Sequence, residues 1–345
     1  MLRPVSPSLS ELRPLGLGEI IDRSASFWRQ HFKQLFLLCF GFNLLSYIFT
    51  KALQLVTQDT LPVIQGAAKG QVELEPLLVA YGQFLVAFTW WVVAYVWLYW
   101  LSSLVVSRYV VPTQLGELVT PAQGLRRGLK RLGALTGAYA LSLPWALGAI
   151  LLMALPGGLV FGAGVAMLGL SSGTGARMVG GIVLFVGLLV ALLGMLGGIL
   201  WYMLRFSLLG PVLAMEELSA IRTFRRSGEM LSGRVEPGFL GRVRVRAILL
   251  VTVVTLILLA VGTLTMLPAI IVQFIYRDPL DPMSIPLVPQ SILVPVELFQ
   301  LAGQAVFNPL GLVFYALFYL DLRVRREGLD LERRLDMRSM PTVTA

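Results

Sequence analysis

The chain has 345 residues, of which 57% are hydrophobic and only 14% are charged, and its formal net charge is +9. Ordinary soluble domains carry about 25% charged residues, so this composition excludes a typical water-soluble enzyme and favours a polytopic membrane protein. A basic soluble protein would suggest nucleic acid as a partner, but arginines beside apolar segments set membrane topology, and we expect no nucleic-acid binding here.

Six apolar segments are each long enough to cross the hydrocarbon core, which requires about 20 residues of helix. They are predicted at about 34–55, 77–106, 132–155, 178–204, 247–274 and 291–320. The predicted fold is therefore an all-α polytopic membrane helical bundle. Its parts are a cytoplasmic N-terminal segment (1–33), a membrane domain (34–320) and a basic cytoplasmic tail (321–345).

The N-terminal segment has the pattern of an interfacial amphipathic helix at about 16–32. Its apolar residues can share one face toward lipid: Ile20, Ile21, Phe27, Trp28 and Phe32. No apolar signal-peptide core precedes the first span, which is therefore expected to be uncleaved. The only histidine, His31, lies beside this span and is expected to pack rather than to catalyse.

Residues 132–170 are apolar almost throughout, which leaves the number of spans ambiguous. The letters LPGG at 155–158 predict a break, because proline removes a helical hydrogen bond and glycine loosens the backbone. Residues 159–170 could then form another span, a re-entrant piece or an extension above the membrane.

The distribution of basic residues favours six spans. That arrangement places 24 of the lysines and arginines on one side and four on the other, and a seventh span would remove the asymmetry. The positive-inside rule therefore predicts that both termini are cytoplasmic. The predicted topology anchors of the last span are Arg323, Arg325 and Arg326.

A second amphipathic segment lies at about 216–231, where apolar residues recur at helical spacing: Leu218, Ile221, Phe224 and Leu231. Three arginines are interleaved with them and are candidates for lipid headgroup contact: Arg222, Arg225 and Arg226. The alternative, for this segment and for the N-terminal one at 16–32, is a helical connector that covers the inner rim of the bundle. Just before this segment, Arg205 could pair with Glu216.

Glycines in two spans predict close helix packing, because small residues let helices approach each other in lipid. Gly180, Gly187 and Gly194 are seven residues apart and share one helix face. Two GxxxG pairs also occur, Gly158 with Gly162 and Gly194 with Gly198.

Four polar residues of the sixth span follow one another in steps of three and four: Glu297, Gln300, Gln304 and Asn308. They share one side of a helix, and a charge in the bilayer centre costs about 3 kcal/mol or more. We hypothesise a polar crevice that admits a headgroup or a small solute, with Asn43 and Gln83 as possible partners. The alternative is that the amides bind other helices and Glu297 reaches the outer interface.

Residue sets for catalysis or cofactor binding are missing from the sequence. One histidine and one cysteine, Cys39, cannot form a His/Cys metal site, and no disulfide is possible within the chain. Neither GxxxxGK[ST] nor GxSxG occurs. We expect no cofactor and no enzymatic activity.

Three segments of the chain read together as a family pattern: LRPLGLGEIIDRSASFWRQHFKQLFLL, LRFSLLGPVLAMEELSAIRTFRRSGEMLSGR and YLDLRVRREGLDLERRL. They resemble the bacterial family named for the membrane domain of glycerophosphoryl diester phosphodiesterases. The matching positions are Pro211, Glu216, Arg226, Ser227, Asp321, Arg323, Arg325, Arg326, Glu327, Gly328 and Asp330. The chain departs from the family pattern at Thr223 and Gly228. The resemblance implies a stand-alone six-helix inner-membrane module without the catalytic barrel of fused members.

Two functions from different classes fit the sequence. The first is a non-enzymatic membrane module that binds lipids, or possibly another membrane protein. The alternative is a transporter or permease-like component that uses the polar stripe of the sixth span. A lipid-modifying enzyme is disfavoured by the missing residue sets, and the oligomeric state is left open.

Overall fold

The structure is a computed structural model that describes residues 13–58, 60, 63, 66, 74–170, 173–235, 237–239, 241–277 and 288–329. These residues are almost entirely helical, with one isolated β-bridge between Arg234 and Arg242. The helices are α1 (Leu17–Gln30), α2 (Phe32–Thr57), α3 (Leu74–Gln114), α4 (Pro121–Leu129), α5 (Leu132–Leu170), α6 (Thr174–Phe206), α7 (Leu209–Met215), α8 (Ala220–Met230), α9 (Val243–Ile275) and α10 (Gln290–Glu327).

Within the described residues, six helices are long and apolar enough to cross a membrane: α2, α3, α5, α6, α9 and α10. Each contains one of the six predicted spans, so the prediction of six apolar helices is confirmed. The orientation of the termini stays a prediction.

The predicted helix break at 155–158 is wrong. Helix α5 continues through Pro144 and Pro156 to Leu170, so residues 159–170 extend the same helix. An exposed break in lipid would leave backbone polar groups without partners, and this cost favours a continued helix even where proline removes one bond.

Contacts divide the chain into two compact units. The first comprises Met1–Leu132 and Leu250–Ala345, and the second comprises Gly133–Leu249.

The first unit is built around the last helix, α10. Of the residues in its most apolar stretch, 72% are buried, whereas the corresponding share in each of the other five candidate spans is 17% or less. Residues 311–322 of α10 are buried without interruption. Helices α1, α2 and α3 pack against α10, so this helix forms the core of the unit.

Helix α1 packs on protein rather than presenting its whole apolar face to lipid, as the connector alternative for this segment predicts. Ile20 and Phe27 are buried within the unit. The Trp28 indole N–H donates a 2.9 Å hydrogen bond to the Val306 carbonyl, and its ring stacks on Phe307 of α10. Of the five residues predicted to face lipid, Phe32 alone is exposed.

The second unit contains a close contact between α5 and α6, with glycines on both sides. A β-carbon at Gly187 or Gly194 of α6 would overlap the α5 backbone, and one at Gly198 would lie 2.7 Å from Ile150 Cα. Gly157 and Gly164 of α5 are equally close to α6. The packing face predicted on α6 therefore lies against α5. The pair Gly158 and Gly162 faces open space instead, so that part of the prediction is wrong.

Helix α8 differs from its predicted amphipathic pattern. The residues it buries are Thr223, Ser227 and Met230, while Ile221 is 66% exposed. Phe224 does pack, with its ring 5.0 Å from that of Phe206. The buried face therefore combines two small side chains, which let α8 lie close to its neighbours, with Met230, and the partly buried Phe224 packs beside it.

Candidate functional site

Helix α2 carries a polar face that the sequence analysis recognised only at Asn43. Its members follow one another in steps of one and three, so they share one side of the helix: Asn43, Ser46, Tyr47, Thr50, Lys51 and Gln54. The spacing was visible in the sequence. The face was missed because hydroxyl groups are common in membrane helices and Lys51 was interpreted only as a topology charge.

The polar faces of α2 and α10 enclose a crevice of about 290 Å³ within the first unit. Its lining residues are Asn43, Ser46, Tyr47, Thr50, Lys51, Gln54, Tyr95, Glu297, Gln300, Leu301 and Gln304. Three members of the predicted stripe therefore line one crevice. Asn308 is not part of the lining, but its side-chain amide donates to Asn43 Oδ1 at 3.4 Å. The suggested partner Gln83 is exposed on α3 and outside the lining.

An ion pair lies in this crevice. The Lys51 ammonium is 2.5 Å from Glu297 Oε2, and the Tyr47 hydroxyl donates a 2.9 Å hydrogen bond to the same oxygen. The two charged side chains are 22% and 16% exposed. An isolated charge that is mostly buried in a membrane-type helix would be costly, and mutual pairing together with the hydroxyl group reduces that cost.

The remaining wall of the crevice comes from α3, through Tyr95. One turn earlier, the Trp91 indole N–H donates to Thr50 Oγ1 at 3.2 Å and so orients that hydroxyl. Asn43 Nδ2 is buried and has no hydrogen-bond partner among the described residues. The crevice thus offers donors, acceptors and one charge of each sign, which suits a small polar solute of zero net charge.

The three arginines of α8 have different surroundings. Arg222 and Arg225 are exposed, whereas Arg226 Nε lies 3.0 Å from Glu216 Oε2. Glu216 therefore pairs with Arg226, not with Arg205 as the sequence suggested. The Arg205 guanidinium lies among aromatic rings instead, 5.2 Å from the centroid of Trp145.

The predicted topology anchors also have different partners. Arg323 pairs with Glu327 at 2.8 Å, and Arg326 is exposed. Arg325 binds the buried Asp321 carboxylate and donates a 2.8 Å hydrogen bond to the Leu15 carbonyl. Arg325 therefore has a packing role in the structure, and the orienting role of all three residues stays a prediction.

Elsewhere, the described residues provide no cluster of metal-binding side chains. No group of three or more His, Cys, Asp or Glu side chains in that part of the chain could hold a metal ion. The His31 ring stacks on Phe27 with centroids 4.2 Å apart, and burial lowers the pKa of its imidazole. Cys39 is buried as a free thiol. His31 thus packs as expected, and the absence of enzymatic activity stays a prediction.

Comparison of the chain with protein-family models, curated proteins and solved structures found no match. The resemblance to the membrane domain of glycerophosphoryl diester phosphodiesterases therefore stays a prediction.

Proposed function

We propose that this chain is a non-enzymatic membrane protein that binds a small polar solute in the crevice between α2 and α10, as a transporter or permease-like component. The proposal includes a bacterial inner-membrane location, six spans and cytoplasmic termini. It also includes kinship with the stand-alone membrane modules that the three sequence segments resemble.

The observation that carries this proposal is the polar crevice with its ion pair. Membrane helices rarely carry ionisable residues, and those that occur commonly mark substrate or ion pathways. Here Lys51 and Glu297 lie beside three glutamine side chains that line the same space. A structural ion pair alone would not require this row of further polar groups on both helices.

The proposal is tested by thermal unfolding of the purified protein in mild detergent, with free amino acids, betaines and polyols as probes. A ligand that binds only the folded state at about 100 times its Kd stabilises the protein by about 2.7 kcal/mol. We expect at least one net-neutral probe to raise the unfolding temperature. We also expect Gln300→Leu and Glu297→Gln to abolish that increase.

The matched control is Glu75→Gln, which changes a carboxylate of α3 outside the crevice lining. It should keep the ligand-induced increase of the parent protein. Solute binding in the crevice would be contradicted if a probe still raised the unfolding temperature of both crevice variants. It would also be contradicted if no probe raised the unfolding temperature of the parent protein.

A second candidate function is a lipid- or partner-binding module that acts through α8. The observation in its favour is that Arg222 and Arg225 are exposed next to the exposed Ile221. Exposed arginines beside an apolar side chain suit either anionic headgroups or an acidic surface on another membrane protein. Arg226 contributes less to such a surface, since Glu216 offsets its charge.

A further inference from the structure

Arg205, at the C-terminal end of α6, lies in an aromatic cage. Its guanidinium carbon is 5.2 Å from the Trp145 ring centroid, 5.3 Å from that of Trp201 and 5.9 Å from that of Phe206. Arg205 Nε is buried and has no hydrogen-bond partner among the described residues. Aromatic faces stabilise a cation but do not neutralise it, so the guanidinium retains donors for an anion.

Among the described residues, the Arg205 guanidinium contacts aromatic rings, and the carboxylate that the sequence offered as its partner pairs with another arginine. Glu216, the carboxylate closest in sequence, is engaged by Arg226. Beside the guanidinium lies Gly228, where an added β-carbon would be 3.5 Å from Arg205 Nη2. The glycine therefore leaves space that a larger side chain would fill.

An apolar groove of about 620 Å³ adjoins the aromatic cage within the same unit. Its lining residues are Pro144, Trp145, Gly148, Ala149, Leu152, Met153 and Trp201. Trp145 and Trp201 belong to both the groove and the cage. Residues 145–153 extend about 12 Å along α5 at 1.5 Å per residue, close to the depth of one leaflet of a bilayer core about 30 Å thick.

We propose that Arg205 and this groove bind an anionic phospholipid, with the phosphate on the guanidinium and an acyl chain along the groove. Arginine binds phosphate through charge-assisted hydrogen bonds, and the apolar lining matches a hydrocarbon chain. In the predicted topology, Arg205 is at the cytoplasmic end of α6, so the lipid belongs to the cytoplasmic leaflet. The site lies entirely in the second unit and is independent of the polar crevice.

Native mass spectrometry of the full chain in mild detergent tests the site, with phosphatidylglycerol and phosphatidylcholine of identical acyl chains as probes. We expect one phosphatidylglycerol to bind in preference to phosphatidylcholine. Arg205→Gln should weaken phosphatidylglycerol binding about tenfold or more, the order expected when charge-assisted hydrogen bonds are lost. The control Arg29→Gln removes an exposed arginine of α1 and should leave binding unchanged.

A second pair of variants tests the groove separately from the charge. A β-carbon at Gly148 meets no atom within 4 Å, so Gly148→Leu projects into the groove without disturbing the free protein. It should lower phosphatidylglycerol binding, while Gly158→Leu, at another open position of α5, should not. Equal binding of the two lipids, or full binding by Arg205→Gln or Gly148→Leu, would overturn the proposal.

Discussion

On α10, two acidic side chains each pair with an arginine four residues away, but only one pair is buried. Asp321 is 1% exposed and accepts hydrogen bonds from Arg325 Nε at 3.0 Å and from the Leu15 N–H at 2.7 Å. The Arg323–Glu327 pair is 24% and 28% exposed. Two ion pairs with the same sequence spacing are therefore expected to contribute differently to the free energy of unfolding.

We predict that Asp321→Asn lowers the free energy of unfolding by about 1.5–3 kcal/mol, because it weakens buried hydrogen bonds to a charged group. The matched change Glu327→Gln should cost no more than about 0.5 kcal/mol, the usual worth of an exposed pair. Denaturant titration in detergent measures both values. Equal losses in the two variants would show that burial of the Asp321 pair contributes nothing.

The role of Arg325 shows what the sequence could not predict at this scale. Its place at the end of the last span indicated a topology anchor. Its contact with Leu15, 310 positions earlier, depends on where α1 packs. Composition locates a charge beside a membrane but does not specify which distant backbone group it meets.

At the scale of whole helices, the contact between α5 and α6 depends on a few glycine positions. The seven-residue spacing on α6 identified the correct face, since Gly187 lies against the α5 backbone near Phe161. On α5 the GxxxG pair predicted the wrong face. Gly157 and Gly164 make the contact there, and they too are seven residues apart. A small-residue pattern shows where an approach is possible, but the partner helix determines which face is used.

We predict that Gly187→Ala lowers the free energy of unfolding by about 1–3 kcal/mol, because the new methyl group forces α5 and α6 apart. Gly162→Ala adds the same methyl group where no atom lies within 4 Å. It should be neutral, or stabilising by up to about 1 kcal/mol, through the higher helix propensity of alanine. The measurement is again unfolding in detergent. A greater loss for Gly162→Ala than for Gly187→Ala would contradict the observed helix contact.

At the scale of the whole chain, apolar length was sufficient to predict six membrane-type helices. Apolar length did not reveal that α10 forms the core of the first unit. It also could not show that α5 remains one helix through Pro156. These features depend on packing between segments distant in sequence, to which hydropathy is insensitive.

Spacing predicted the α10 wall of the crevice, but the α2 wall emerged only when the structure placed Lys51 beside Glu297.

Lys51 lies near the C-terminal end of α2 and Glu297 near the N-terminal end of α10. In the predicted topology these ends face away from the basic loops, and we propose that water enters the crevice between α2 and α10 from that side. This central claim is tested most directly by cysteine labelling of intact cells with a membrane-impermeant maleimide, in a Cys39→Ala background. We predict that Gln300→Cys, in the crevice lining, is labelled from outside. Leu298→Cys, an exposed position on α10 outside that lining, should stay unlabelled in lipid. Labelling of Gln300→Cys only after permeabilisation, or equal labelling at both positions, would contradict the account.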